Sequence, residues 1–378
     1  MKKNYLFFYL KTGGGHYAPA KAIAEYMQKY YYQHNAILVD GLEKGPNWMS
    51  KIIVDGYRFS QQKALWIFEM MYAFNKFKPI AWITMMIVSI FLKNKLKNYI
   101  TVNKPDKIVI FHFLLIRPVK RILKNLKLDI PLVVVVTDPY TAHPLWFMDK
   151  ENKYIVFSED LRRKIIKKGV SESNISTIPF ILNEKYIIKP SKLDVIKYKS
   201  IYGFDITKKV ILLFGGADGL PKALKLLKKL IRSNVDAEIA IICGNNQLLF
   251  HEALNFKYLY GIDNLKVYPY VNFVYDLISI SDIVITKCGA STINEILLMN
   301  KLPIISSYIW EQEKGNLENI VNNTLGIYQP STKKICSIVN DLINDETLLN
   351  YYIQNIINTK PTNGVEKAAQ LLISNQAA

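Results

Sequence analysis

Ten short apolar runs recur along this chain, and they limit its fold more than any one motif does. They fall at 5–10, 36–39, 107–111, 132–137 and 154–157, then at 210–214, 237–242, 265–267, 283–286 and 303–306. Amphipathic stretches at 17–34, 161–168, 220–231 and 276–281 lie between them. The runs are rich in Val and Ile and do not alternate with polar residues, so each reads as a strand buried on both faces. Strands of that kind alternating with helices imply parallel sheets covered by helices. The pattern restarts at Val210 after a polar, Lys-rich stretch at 183–209 that reads as a linker. The chain is therefore expected to be α/β, with two doubly wound, Rossmann-like parallel-sheet domains facing across a cleft, spanning 1–190 and 191–378. Its 378 residues also exceed what one core comfortably serves.

The three cysteines, Cys243, Cys288 and Cys336, are far apart and fit neither a disulfide framework nor a zinc site. They suit a reducing cytoplasm. The opening apolar run YLFFYL reads as a first strand and not as the core of a signal peptide.

The net charge of +18 is unevenly placed. Residues 1–200 hold 33 Lys and Arg against 15 Asp and Glu, whereas residues 201–378 hold 16 of each. A general preference for lysine would spread evenly, so the first half is expected to meet an anionic surface. The stretch ALWIFEMMYAFNKFKPIAWITMMIVSIFLKNKLK (64–97) bears on which surface that is. Its 14 uncharged residues between Lys78 and Lys93 are fewer than the ~20 a membrane span needs. With Trp66, Trp82, Phe74, Phe77 and Phe91 interleaved and lysines at both ends, it reads as an interfacial anchor or as a core helix. No helix-turn-helix, finger or RNP-like pattern occurs, so nucleic acid is not an expected partner.

Four strand-to-helix loops carry the candidate chemistry, because ligands of doubly wound sheets sit beyond the carboxyl ends of strands. The first is Lys11-Thr12-Gly13-Gly14-Gly15-His16. Three glycines are costly in folding entropy and point to a close approach by a ligand. The loop matches G-x-G-x-x-A through Gly13, Gly15 and Ala18, and Asp40 ends the next strand, so a nicotinamide site is one reading. His16 is either a helix cap or a general base. The second loop, TDPYTAHPLWF (137–147), puts Thr137 and then Asp138 after four valines and brings His143 and Trp146 to the same end. A carboxylate there either caps a turn or orients His16 or a substrate hydroxyl. The third, LLFGGADGLPKAL (212–224), offers Gly215, Gly216 and Gly219 to a phosphate, although loop geometry alone explains two of them. The fourth region contains Lys287, Cys288, Gly289, Thr292 and Glu295, then Glu311, Gln312, Glu313 and Asn316. A basic residue and free amides for a diphosphate, with a carboxylate for ribose hydroxyls, suit a nucleotide-sugar. Cys288 reads as an apolar filler. No metal-ligand spacing is present among these residues.

Taken together, GGGHYAPAKAI (13–23), TDPYTAHPLWF, YIVFSEDLRRKIIKKGVSESNISTIPF (154–180), LLFGGADG, IICGNNQLL (241–249), TKCGASTINE and EQEKGN resemble the monogalactosyldiacylglycerol synthases and the bacterial diacylglycerol glucosyltransferases. These are inverting glycosyltransferases of the GT-B fold, and the resemblance covers most of the chain. It implies transfer of a hexose from a UDP-sugar to diacylglycerol by a peripheral enzyme at the inner face of the cell membrane, with anionic lipids as partners and no cofactor. A UDP-GlcNAc-using transferase or epimerase of the same fold is the alternative.

Position by position, the resemblance implies that Gly13, Gly14, Gly15, His143, Trp146 and Trp82 face acceptor or lipid. His16 or Asp138 would be catalytic. Gly215, Gly216, Lys287, Gly289, Thr292, Glu295, Gln312, Glu313 and Asn316 would hold the donor. The chain departs from the family pattern at Ala217 (usually Gly), at Thr177 before Ile178-Pro179, and at Tyr268-Pro269-Tyr270. Those positions bear on the choice of sugar and on the grip on the phosphates.

Overall fold

Leu6, Phe7 and Phe8 expose none of their surface, so the first strand needs cover on both faces, and the structure supplies it. The computed structural model describes residues 2–11, 14–42, 70, 74 and 78–374, apart from the side chains at 78, 80–82, 84 and 85. Two compact units emerge. The first comprises Met1–Glu184, Trp310–Gln312 and Asn363–Ala378, and the second comprises Lys185–Ile309 and Glu313–Thr362. The chain thus passes between units at 184/185, close to the expected 190/191, but residues 363–378 belong to the first unit.

The first unit runs β1 (Lys3–Tyr9), α1 (Gly14–Tyr30), β2 (His34–Asp40), α2 (Lys78–Asn103), β3 (Lys107–Ile110), α3 (Ile116–Leu126), β4 (Leu132–Val135), β5 (Lys153–Val156), α4 (Glu159–Lys167) and β6 (Ile175–Thr177). Its sheet has the order β2-β1-β3-β4-β5-β6, all parallel. Alternate strand residues point to opposite faces. Leu6, Phe8, Ile108, Ile110, Val134 and Val156 form one core with Leu92, Leu96 and Ile100 of α2 and with residues of α3 and α4.

That packing shows how the long apolar segment is used. Its carboxyl half is a core helix, buried through the i, i+4, i+8 row Leu92, Leu96 and Ile100. Nearer its start, Ile83, Met86, Ile87 and Ile90 are exposed. Trp66 and Phe77 lie outside the described residues, and so does the side chain of Trp82. No helix among the described residues is long and apolar enough to cross a membrane.

The second unit runs α5 (Lys192–Ile201), β7 (Val210–Phe214), α6 (Ala223–Arg232), β8 (Glu238–Ile242), α7 (Gln247–Leu259), β9 (Leu265–Tyr268), α8 (Val274–Ile280), β10 (Ile283–Lys287), α9 (Ala290–Leu298), β11 (Leu302–Ser307), α10 (Lys314–Asn322), β12 (Ile327–Tyr328), α11 (Thr332–Asn344) and α12 (Glu346–Asn358). Its parallel sheet has the order β12-β11-β10-β7-β8-β9. In both sheets the strand order reverses once, at β1/β3 and at β7/β10. Such a reversal opens a crevice beyond the carboxyl ends of the two strands.

The last helix, α13 (Val365–Ile373), packs on α1 in the first unit. Asn363 pins its start, accepting from the amides of Leu182 and Val365 and donating to the carbonyls of Leu182 and Asn183. Lys107 caps its end by donating to the Leu372 carbonyl at 2.7 Å. Gly364 makes the join possible, since a Cβ there would lie 1.9 Å from the Pro179 carbonyl oxygen. Backbone cannot yield as a flexible side chain does, so Gly364→Ala is expected to destabilise the first unit by about 1–3 kcal/mol. Chemical denaturation monitored in that unit measures the change.

Candidate active site

The loop after β1 enters α1 at Gly14, and His16 stands in the first turn of that helix. A Cβ built on Gly14 or Gly15 would meet nothing within 4 Å among the described residues. Packing against the described residues therefore does not require these two glycines. Gly13 is outside the described residues. His16 itself is buried, with Nδ1 2.8 Å from Thr137 Oγ1. Burial holds its imidazole down to about 4, so the ring is neutral at pH 7.

A column of rings backs this histidine. His112 lies edge-on at 4.4 Å, Phe113 stacks on His112 at 4.6 Å, and His143 stacks on Phe113 at 5.5 Å. His112 accepts from the Leu114 amide, and burial lowers its basicity well below that of a free imidazole. The sequence reading passed over His112, although the FHF that follows β3 stands at the strand reversal, where ligands of such sheets bind.

His143 and Trp146, expected to touch acceptor or lipid, are 2% and 0% exposed. Both work from inside. His143 caps the turn Pro144–Phe147 by accepting from the Leu145 amide. Trp146 Nε1 donates to Asp138 Oδ2 at 2.9 Å. Burial pushes the Asp138 carboxyl up to about 6, against the pull of its hydrogen bonds from Trp146 and Gln312. Ser158, the cap of α4, fixes the same loop by donating to the Pro139 carbonyl at 2.5 Å.

Gln312 belongs to this first unit, in the segment Trp310–Gln312, and not with the donor motif in which its sequence neighbours lie. Its buried Oε1 has no partner among the described residues. Glu311 beside it is left-handed, with φ 59°, a conformation costing a non-glycine residue on the order of 1 kcal/mol. Asp40 does not have the free role that a nicotinamide site would give it. Its Oδ1 accepts from the amides of Lys11 and Leu42.

In the second unit the reversal at β7/β10 brings the third loop and the fourth region together. Gly215 is fixed by packing, since a Cβ would fall 2.4 Å from the Gly219 carbonyl oxygen. Gly219, at φ +79°, would press a Cβ to 2.9 Å from the Cys243 carbonyl oxygen. Gly216, at φ +78°, faces the Lys287 side chain, whose Cε would lie 3.8 Å from a Cβ. One glycine of the three thus borders the cation. Lys287 closes β10, and Gly289 opens α9, so a cation and free helix amides converge, as an anion requires.

Around them, Glu313 Oε2 accepts from the Ile309 amide, and Asn316 Nδ2 donates to the Cys288 carbonyl at 3.0 Å. Asn316 Oδ1 is buried without a partner among the described residues, and a ligand hydroxyl or N–H would satisfy it. Thr292 is buried on α9. Cys288 is a fully buried filler whose thiol is pushed up by burial. Glu295, later in α9, has its carboxyl pushed up to about 7 by burial, while Lys185 and a hydrogen bond from Tyr186 oppose the shift. Lys185 and Tyr186 escaped the sequence reading because they lie in the stretch read as a linker and carry no motif. Among the described residues no group of three His, Cys, Asp or Glu could hold a metal.

The chain has the fold of MurG from Acinetobacter baumannii (TM-score 0.61, 15% identity, 98% of this chain and 99% of that one). It also has that of HepE from Anabaena, solved in complex with UDP (TM-score 0.58, 15% identity, 98% of each chain). That fold class is the GT-B glycosyltransferase class. Residues 16–179 match the model of the monogalactosyldiacylglycerol (MGDG) synthase family, and residues 210–333 match the glycosyltransferase family 28 C-terminal domain. The chain is similar to the monogalactosyldiacylglycerol synthases and to a bacterial diacylglycerol glucosyltransferase, at about 25% identity.

Its relatives include the chloroplastic monogalactosyldiacylglycerol synthase of Spinacia oleracea, 25% identical over 89% of this chain and 65% of that protein. They also include the processive diacylglycerol beta-glucosyltransferase of Bacillus pumilus, 24% identical over 94% of this chain and 90% of that protein. The chain spans just under two thirds of the length of the spinach relative.

Glu295 gives a test of the site's electrostatics. Its ordinary value is 4.5 and its folded value about 7. Between those values the folded chain keeps a proton that the unfolded chain releases, so this residue makes stability fall as pH rises through that window. Glu295→Gln is expected to flatten that part of the pH profile and to raise the melting temperature at pH 8 relative to pH 5. Differential scanning calorimetry across pH 5–8 measures both.

Proposed function

We propose that this protein is an inverting glycosyltransferase that moves a hexose from a UDP-sugar to diacylglycerol at a membrane surface. The observation that carries the reading is the pairing of two switch-point sites in one chain. One is an anion cradle of Gly216, Lys287 and the start of α9. The other holds a neutral, buried His16 close to the loop that carries Asp138. The donor's diphosphate sits against Lys287 and the amides of α9, with Glu295 taking ribose hydroxyls and Asn316 Oδ1 accepting from the nucleotide or sugar. The acceptor hydroxyl enters above the bare backbone of Gly14 and Gly15. His16 receives its proton as the oxygen attacks the anomeric carbon from the side opposite the diphosphate. Lys287 and the helix amides stabilise the charge that builds on the leaving group. No cofactor enters this scheme.

Contact with an anionic leaflet at the inner face of the cell membrane belongs to the same proposal. A groove of about 970 Å³ lies in the first unit, lined by Arg117, Lys120, Arg121, Lys124 and Lys150 together with Met86, Leu145 and Met148. Cations beside apolar side chains suit a charged headgroup and its acyl chains. Asp149 pairs with Lys120 within it.

The test is a transfer assay with purified protein, UDP-glucose and UDP-galactose in parallel, and diacylglycerol vesicles with and without anionic lipid. A glycolipid is expected from one donor, formed faster on anionic vesicles. No glycolipid from either donor contradicts the reading.

A further inference from the structure

A base has to receive its proton at a lone pair, and the lone pair of His16 is covered. Neutral imidazole carries one N–H and one lone pair. With the N–H on Nε2, the lone pair lies on Nδ1. Nδ1 then accepts from the Thr137 hydroxyl, 2.8 Å away. Both side chains are buried, at 9% and 5% exposure. The ring has little freedom to turn toward a substrate, with His112 edge-on at 4.4 Å and Trp146 at 6.3 Å. Thr137 follows β4 by two residues, after the last of the four valines, and immediately precedes Asp138, so its hydroxyl stands beyond the carboxyl end of that strand.

We propose that Thr137 is a catalytic residue that relays the acceptor's proton to His16. This rests on the glycosyl-transfer reading. As the acceptor oxygen attacks the anomeric carbon, its proton passes to Thr137 Oγ1, and the Thr137 hydroxyl proton passes to His16 Nδ1. The bond between the anomeric carbon and the phosphate oxygen breaks, and its electron pair leaves with the diphosphate. Thr137 ends as a neutral hydroxyl, His16 as an imidazolium, and the diphosphate carries one more negative charge.

The experiment compares Thr137→Val, Thr137→Ser and His16→Ala with the unaltered protein. It measures single-turnover transfer in H2O–D2O mixtures and UDP binding by calorimetry. Thr137→Val should lower the transfer rate about 100-fold or more while UDP affinity stays unchanged. Thr137→Ser should restore transfer to within about tenfold of the unaltered rate. The dependence of rate on deuterium fraction should be bowed, for two protons in flight, in the unaltered protein and in Thr137→Ser. A purely structural Thr137 would give a linear dependence, and that result overturns the relay. Thr137→Val transferring at the unaltered rate also overturns it, even where His16→Ala is inactive. Full transfer by His16→Ala overturns the assignment of the base itself, and the relay with it.

Discussion

Parallel strands joined by crossovers of one hand can grow a sheet outward in two directions only by reversing once, and that reversal governs this molecule. In the first unit β2 lies on one side of β1 and β3 on the other. The chain leaving β1 and the chain leaving β3 therefore diverge, and their loops cannot close over the gap. His16 comes from one of those loops and His112 from the other. In the second unit the reversal at β7/β10 does the same for Gly216 and Lys287. Residues more than 70 positions apart meet because the sheets have no other way to arrange their connections.

The same edge decides the chemistry of the side chains. A polar group at the end of a buried strand loses water but keeps only the partners that the loops provide. That one cause acts in opposite directions on acids and bases. It lifts the Asp138 carboxyl to about 6 and the Glu295 carboxyl to about 7, and it lowers the His16 imidazole to about 4. All three groups are moved toward their neutral forms. A neutral imidazole can take a proton, and a carboxyl poised close to neutrality can change state when a ligand replaces water. The hydrogen bonds from Trp146 to Asp138 and from Tyr186 to Glu295 limit how far each acid moves.

Much of the fold was legible from periodicity. All ten apolar runs are strands, and the restart at Val210 opens the second sheet. The two strands that escaped, β6 and β12, have three and two residues, too few to show a hydrophobic period. The return of α13 to the first unit was also hidden, since it depends on Asn363 and Gly364 meeting the chain at 179–183, a long-range fit with no local signature. At the site, the glycine loops, Lys287 and His16 were visible because their residue types are unusual after strands. Trp146 misled, because an aromatic in a loop resembles a surface contact, whereas its indole is a buried donor to Asp138. Gln312 was legible as a polar site residue but not as part of the first unit. His112 and Tyr186 stood in no motif, and only the topology brings them to the two sites.

A donor held at the second unit's strand reversal would cover the cradle amides and α9. Hydrogen–deuterium exchange of the full chain, with and without saturating UDP, should then show slowed exchange at 215–219 and 287–295. Protection confined to 10–16 and 137–146 in the first unit would contradict that placement.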